Sequence, residues 1–351
     1  MNQYILIKRN EMKQPTFSVI IPVKEVGSYS LDEGLPGLQK LTYPHFEVLL
    51  LPNDSTKNDQ ILLKKYPWLR IIPTGKITRP AQKRNIGARV AKGEIIAFID
   101  DDAYPSPQWL EKAAKLFQEK KVEAVCGPGV LPKKTNDWER VFDVLLKSPI
   151  GSGGFAYRFT PEKERYVDDY PSMNFLIKKK IFLDLGGFDN DFWPGEDSKL
   201  CEELVNRKNG KILYHPDVLI YHHRRNNLLD FLKQHSQYGF HRGAFFAHGD
   251  KNSRRIAYVI PTLFVLYIVG LAVMNTLTLP IVRMTVLPIL IIPLKIYIAG
   301  IIIQCILFAV STQNITLSVL AGMILVMTHI TYGVYFIKGL IIGWQKKDKI
   351  Y

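Results

Sequence analysis

Hydrophobic positions fall into three regimes along this chain. From Phe17 to Ile99, short apolar runs alternate with mixed segments: Phe17 to Val23 (FSVIIPV), Phe46 to Leu51 (FEVLLL), Leu69 to Ile72 and Ile95 to Ile99 (IIAFI). Runs that are apolar throughout, and not at every second residue, read as strands covered on both faces of a parallel sheet. The segments near 30 to 41, 55 to 65, 80 to 92 and 107 to 120 carry helix-capable patterns. Strand and helix thus alternate four times, which predicts a doubly wound α/β sheet with ligands at the carboxyl ends of its strands.

Past Val130 the pattern is irregular. GSGGFAYRF at 151 to 159 and RYVDDYP at 165 to 171 read as exposed loops able to shape a second substrate site. Lys178 to Leu185 reads as a helix ended by Gly186-Gly187, and Ser198 to Lys208 as a helix capped by Asp197 or Ser198. Ile212 to Leu213 and Val218 to His223 read as short strands. Leu228 to His248 mixes Leu228, Leu229, Phe231, Leu232 and Tyr238 with Lys233, Arg242 and several His. It reads as an interfacial helix leading to a membrane, with an amphipathic core helix as the alternative.

The third regime is nearly free of charge. The 87 residues from Ala257 to Gly343 hold Arg283, Lys295 and Lys338 and no acid. Three apolar stretches, near 257 to 279, 284 to 310 and 316 to 341, each reach the roughly 20 residues needed to cross a hydrocarbon core. The middle one contains Pro288, Pro293 and Lys295, so it reads either as a short interfacial piece followed by a span from Ile296 or as one long kinked helix. Lys251, Arg254 and Arg255 precede the first stretch, and positive-inside bias then puts residues 1 to 256 in the cytoplasm. The opening residues show no secretory signal, in keeping with that side. The tail QKKDK also prefers the cytoplasm, yet three crossings would expel it, so the parity of crossings stays open. The resulting division is 1–226 as an α/β domain, 227–256 as an interfacial basic segment, 257–343 as a transmembrane region of about three spans, and 344–351 as a basic tail.

Composition sharpens this division. A mean hydropathy of zero over 351 residues is the average of a polar domain and an apolar one. Of the net charge of +14, +9 belongs to residues 1 to 256, with 40 bases against 31 acids. A simple soluble enzyme, a disordered tail protein and a disulfide scaffold are excluded. Cys126, Cys201 and Cys305 are scattered and read as buried apolar residues.

The most informative stretch is Gly93 to Leu110, GEIIAFIDDDAYPSPQWL, where a buried strand ends in Asp100, Asp101 and Asp102. Three adjacent acids repel unless a cation sits among them, and hard oxygen ligands suit Mg²⁺ or Mn²⁺ shared with substrate phosphates. An acidic helix N-terminus is the alternative. Upstream, RPAQKRNIG places Arg79, Lys83 and Arg84 at the head of a helix, as a diphosphate grip or as a solvated basic face. In GGFDNDFWPGEDSKLCEEL, Glu196 and Asp197 follow an aromatic turn with Phe192 and Trp193. Apolar walls would raise a carboxyl pKa toward that of a general base, whereas an acidic N-cap is the plain reading. His222 and His223 end a strand and face opposite sides, so only one can serve a given site; a histidine there reads either as a structural or surface residue or as one that completes a divalent site.

Taken in order, VIIPV, FEVLLL, KRNIGARVAKGEIIAFIDDD, GGFDNDFWPGED and YHHRR resemble the family 2 glycosyltransferases, inverting enzymes of the GT-A fold, over roughly residues 17 to 245. The resemblance implies a Rossmann-like nucleotide-diphospho-sugar transferase domain followed by C-terminal transmembrane helices. It implies Asp100 and Asp102 as the two acids of the DxD signature, with Asp102 the main metal ligand and Asp100 near the donor ribose or the metal. It implies Asp197 as catalytic base with Glu196 beside it, and His222 or His223, of which His222 is preferred, as a further metal or diphosphate contact. Pro22, Val23 and Glu25 fall where the family's first strand loop meets the nucleotide, and Arg84 and Asn85 where its RN pair does. Family members often end the second strand with an acid that holds the base; here Pro52 takes that place, followed by Asn53 and Asp54. Donor contacts are therefore expected from Pro22, Val23, Glu25, Asn53, Asp54, Arg79, Lys83, Arg84, Asn85, Asp100 and Asp101.

A phosphate acceptor is already ionised and needs no base, so the GED sequence points to a sugar hydroxyl of a lipid-linked or envelope glycan acceptor at the membrane, and not to nucleic acid. QHSQY lies where processive synthases of the family carry Q-x-x-R-W, with Gln237 and Tyr238 in place of Arg and Trp, which favours addition of a single sugar. The competing expectation is a non-catalytic nucleotide-sugar-binding sensor or transport-associated membrane protein.

Overall fold

A computed structural model describes residues 14–192, 195–277 and 280–345. Trp193 and the QKKDK tail beyond Gln345 lie outside the described residues.

The chain opens with β1 (Phe17–Pro22), a π-helical turn over Tyr29–Gly34, α1 (Leu35–Gln39), β2 (Phe46–Leu51), α2 (Asp59–Lys65), β3 (Leu69–Ile71), α3 (Pro80–Val90) and β4 (Ile95–Ile99). These follow the expected alternation. All six residues of β1 and all five of β4 are buried, as continuous apolar runs require. Val19 and Ile21 pack into one apolar layer and Ile20 into the layer on the opposite face, so helices cover both sides of the sheet.

Next come β5 (Ala103–Pro105), α4 (Trp109–Glu119), β6 (Ala124–Cys126), β7 (Gly129–Val130), α5 (Asp137–Lys147), α6 (Pro149–Ser152), β8 (Arg165–Val167), β9 (Asn174–Lys178), α7 (Lys179–Asp184), α8 (Glu196–Cys201), β10 (Ile212–Tyr214) and β11 (Ile220–His222). The main sheet has the order β3-β2-β1-β4-β9-β6-β10-β8. β3, β2, β1 and β4 are parallel, and so are β6 and β10; β9 runs antiparallel to both β4 and β6, and β8 antiparallel to β10. The wholly parallel sheet expected from the strand-helix alternation is thus corrected to a mixed one. The segment at 165 to 171, expected as an exposed loop, begins as the edge strand β8, and part of 151 to 159 forms helical turns.

A second sheet, β5-β11-β7, stands at the carboxyl edge of the first. Gly127 makes it possible, because a Cβ there would lie 1.9 Å from the Val218 carbonyl oxygen. Asn174 donates to the Gly127 and Val218 carbonyls, both at 2.7 Å, and accepts from the Trp109 indole at 2.9 Å. This buried polar knot joins the two sheets. Helix α7 stops at Gly186 and Gly187, whose φ of +84° and +79° belong to glycine.

The rest is helical: α9 (Leu228–His248), α10 (Ile256–Leu277), α11 (Pro280–Leu290), α12 (Ile292–Thr312) and α13 (Ile315–Gln345). The awkward middle stretch is two helices meeting at Ile291. Three helical stretches, Ile256–Leu277, Met284–Thr312 and Ile315–Gly343, are long and apolar enough to span a membrane. An apolar groove of about 660 Å³ between α12 and α13 carries no chemical groups beyond Cys305, Gln313 and Ser318.

Candidate functional site

Strand β4 ends at Ile99, and the turn after it carries Asp100, Asp101 and Asp102 to the carboxyl edge of the sheet. The antiparallel pairing of β5 with β11 sets His222 opposite Ala103, which brings the imidazole back across 120 residues to the aspartates. His222 Nε2 lies 3.1 Å from Asp102 Oδ1 and 3.8 Å from Asp100 Oδ2. One donor atom from each of Asp100, Asp102 and His222 falls within a 4.8 Å cluster. Asp102 Oδ1 is buried and receives no hydrogen bond in good geometry, although His222 is near. Two carboxylates, one with its buried oxygen orphaned, and an imidazole nitrogen fit a hard divalent cation.

The electrostatics divide the three acids. Burial pushes the Asp102 carboxyl up, but His222 and then Arg225 outweigh it and hold its pKa at about 2. Asp101 is raised to about 7 by burial and by the charges of Asp102 and Asp100.

Arg84, on α3, reaches under this edge. Its Nη2 meets Asp100 Oδ1 at 2.5 Å and its Nη1 lies 3.5 Å from Glu196 Oε1, so one guanidinium links the β4 turn to the head of α8. Helix α8 starts at Glu196 with Gly195 as its N-cap residue, and no side chain caps it. The expected capping by Asp197 or Ser198 is therefore corrected. The Asp197 carboxylate instead accepts from the amides of Ser198 at 2.7 Å and Ser172 at 3.3 Å. Burial and then the Asp169 charge raise the Asp197 pKa. Glu196 is raised to about 7 by burial and by Asp197 beside it. Phe192 packs on Phe245 of α9 at 5.5 Å between ring centres and supplies an apolar wall beside them.

These groups share a cavity of about 500 Å³. Pro22, Arg84, Asp100 to Asp102 and His222 line it together with Glu196 and Asp197. Gln237, Tyr238 and His241 of α9 continue the wall toward Ala257 and Pro261 in the first turns of α10 and His329 of α13. The hollow thus runs from the acidic edge to the apolar helices.

Other expected donor residues sit elsewhere. Lys83 is buried, and its ammonium donates to the Val23 and Leu51 carbonyls at 2.6 and 3.1 Å and to Asn53 Oδ1 at 2.6 Å. Asn85 spends both ends of its amide on Phe188, accepting from its N–H and donating to its carbonyl, each at 2.8 Å. Lys83 thus ties the ends of β1 and β2, and Asn85 holds the turn before α8. Arg79 donates to the Asn190 carbonyl at 3.2 Å. Val23 is buried behind the ends of β1 and β2, while Glu25 and Asp54 are exposed beyond them.

His223 takes a structural place, 2.6 Å from Glu139 Oε1 and 3.0 Å from Glu33 Oε2. Asp169 was missed by sequence reasoning. It is 2% exposed and accepts from Arg158 at 2.8 Å, from Arg242 of α9 at 2.6 Å and from the Tyr258 hydroxyl of α10 at 3.3 Å. Burial raises its pKa, but Arg242 and Arg158 prevail and hold it at about 2. Nothing in RYVDDYP marks it, because its partners are 11, 73 and 89 residues away.

Residues 18–186 match the family described as glycosyl transferase family 2, and this part of the chain is a family 2 glycosyltransferase domain. A pre-mycofactocin glycosyltransferase of Mycobacterium tuberculosis is 28% identical over 160 residues, 46% of this chain and 33% of that protein, so the chain spans about a third of the length of that relative. The dolichyl N-acetyl-alpha-D-glucosaminyl phosphate 3-beta-D-2,3-diacetamido-2,3-dideoxy-beta-D-glucuronosyltransferase of Methanococcus voltae is 25% identical over 339 residues, 93% of this chain and 97% of that one. A mannosyltransferase from Pyrobaculum calidifontis, solved in complex with GDP-Man and Mn2+, superposes with a TM-score of 0.60 at 16% identity, covering 95% of this chain and 89% of that chain. The chain therefore has the GT-A-like α/β fold.

Proposed function

We propose that this glycosyltransferase domain moves a sugar from a nucleotide-diphosphate donor to a hydroxyl of a membrane-held acceptor, lipid-linked or part of a larger glycan, with inversion at the anomeric carbon. The observation that carries the reading is one cavity holding both the Asp100, Asp102 and His222 cluster and the Glu196 and Asp197 pair, open toward the apolar helices. The M. voltae relative is named for a dolichyl-linked acceptor, which agrees with a hollow that reaches α10 and α13.

Asp100, Asp102 and His222 would hold a divalent cation, Mn²⁺ or Mg²⁺, whose chemistry is to neutralise charge on the departing diphosphate. Asp197 accepts the proton of the acceptor hydroxyl. Its carboxylate is aimed by two backbone amides, and burial raises its basicity above that of a free aspartate. Arg84 keeps Asp100 and Glu196 at a set separation and lowers the repulsion between the two acidic clusters. Pro22 and Asp101 complete the donor end, and Gln237, Tyr238 and His241 face the acceptor. The bases at 251, 254 and 255 would keep this domain in the cytoplasm.

The test is nucleotide release from a panel of common nucleotide sugars by the full chain in detergent, with and without Mn²⁺. Release that requires the cation and disappears in Asp102→Ala supports the reading. No release and no binding of any donor would overturn it.

A further inference from the structure

Helix α13 is as apolar as a membrane span, but its neighbour is not. Four glycines on facing sides press α13 against α9: a Cβ would lie 2.3 Å from the Tyr332 oxygen at Gly239, 2.1 Å from the Phe336 oxygen at Gly243, 1.9 Å from the Phe240 oxygen at Gly339 and 2.7 Å from Ala244 Cα at Gly343. At one end His248 Nε2 lies 3.1 Å from the Gly343 carbonyl oxygen, and at the other Phe231 shares an apolar cluster with Ile324 and Leu325. The two helices therefore run side by side and parallel from about residue 325 to residue 343 of α13. At 1.5 Å per residue this is about 27 Å.

Over the same length α9 belongs to the catalytic domain. Gln234, Gln237 and His241 line the catalytic cavity, Arg242 is bound to Asp169 and Ser198, and Lys233 is exposed. A helix with these side chains does not sit in hydrocarbon, where an Arg or Lys at mid-depth is costly and the polar groups lining the cavity add to that cost. Whatever lies beside it at helix-packing distance, about 8–10 Å or less, shares its depth. The ten residues of α13 outside the contact, 315 to 324, extend about 15 Å, half of a core of about 30 Å. They too touch the domain, since Ala321 and Ile324 join Val141 and Phe142 of α5 in one cluster.

We infer that α13 does not cross the bilayer but lies along its surface beneath the catalytic domain, with one flank on α9 and the opposite flank in the adjoining leaflet. The partner of that flank is the apolar upper layer of a lipid leaflet. Ile315, Val319, Met323, Met327, Ile330, Val334 and Ile341 are all exposed, at spacings of three, four and seven that keep them on one side of a helix. The exposed side chains of α10 and α12 continue this apolar surface. Those two helices leave and return on one face: the first turn of α10 sets Tyr258 against Arg242 and Asp169, and α12 comes back with Gly300 beside Ile150 of α6, where a Cβ would lie 3.9 Å from Ile150 Cδ1, and with Phe308 in the α5 cluster. The hairpin contributes an even number of crossings and α13 contributes none. The basic tail after Gln345 then remains on the side of the catalytic domain, which removes the conflict between three spans and the charge of QKKDK.

The inference does not depend on the transfer reaction. Its test uses the full chain in sealed membrane vesicles of both orientations, with one added cysteine in the tail, Asp348→Cys, or on the exposed surface of the domain, Lys40→Cys. Cys126 and Cys201 are buried and Cys305 is half-buried, so an impermeant maleimide reports chiefly the added thiol. Labelling of both variants in the same vesicle orientation, each reduced at least tenfold in the other, is the expected result. Labelling of Asp348→Cys only in the orientation that protects Lys40→Cys would overturn it.

Discussion

Replacing Glu196 with Gln should make the protein more stable at pH 8 and leave it nearly unchanged at pH 4.5. Glu196 is 5% exposed, with Arg84 3.5 Å away as a cation and Asp197 adjacent as a second acid. Burial and then Asp197 raise its pKa from 4.5 to about 7. A group whose folded pKa lies above its unfolded value favours the folded state most when protonated. Its contribution is complete below pH 4.5 and is lost as pH rises through 7. The difference of about 2.5 units, at about 1.36 kcal/mol each, sets an upper figure of about 3 kcal/mol by pH 8. Gln keeps the shape and removes the titration. With about 2–4 °C per kcal/mol for a domain of this size, the variant should melt up to about 6–12 °C higher than the parent at pH 8 and within about 2 °C of it at pH 4.5. Thermal unfolding of the full chain in one detergent, followed by intrinsic fluorescence at both pH values without donor or metal, measures this. Equal differences at the two pH values would refute the assignment of a strained, ionisable Glu196. The gain should cost transfer rate, because Arg84 loses one of the two carboxylates it spans.

Asp197→Asn should reduce transfer at least a hundredfold while donor affinity, read by nucleotide-sugar titration, changes less than threefold; the parent's kcat/KM should fall as pH drops through the raised Asp197 pKa, and the variant should lack that limb. Asp169→Asn leaves Arg158 and Arg242 without their shared carboxylate and should cost about 3–5 kcal/mol, visible as an earlier melt that high salt does not repair. Lys83→Met strands two backbone carbonyls and Asn53 Oδ1, so a loss of about 1–3 kcal/mol is expected, with a weaker donor KM as the ends of β1 and β2 part.

Local pattern was enough where function follows from short-range order. The runs at β1, β2 and β4 are apolar throughout because helices cover both faces, and such a run can be read without its neighbours. Asp100 to Asp102 were legible because they terminate a buried strand, and Glu196 and Asp197 because they open a helix after a turn. β9 escaped notice: Asn174 to Lys178 is as apolar as a strand should be, but nothing local says that it enters antiparallel between β4 and β6. The surroundings of Lys83 were hidden for a related reason. Its charge suggested a ligand, and nothing local shows that the Val23 and Leu51 carbonyls and Asn53 Oδ1 gather around its ammonium.

The sequence by itself determined the strand-helix alternation, the acidic sheet edge, the GED turn and an apolar C-terminal third, because periodicity and residue chemistry within some twenty positions carry each of them. Tertiary structure alone decided which histidine meets the aspartates, which acid clamps α9 and α10 to the domain, and how α13 lies. In each case the deciding contact joins residues 73 to 120 positions apart, or a glycine seam whose partner helix is not written in its own pattern. Hydropathy reports that a helix avoids water; only the polar helix packed along its flank tells whether it can leave the surface.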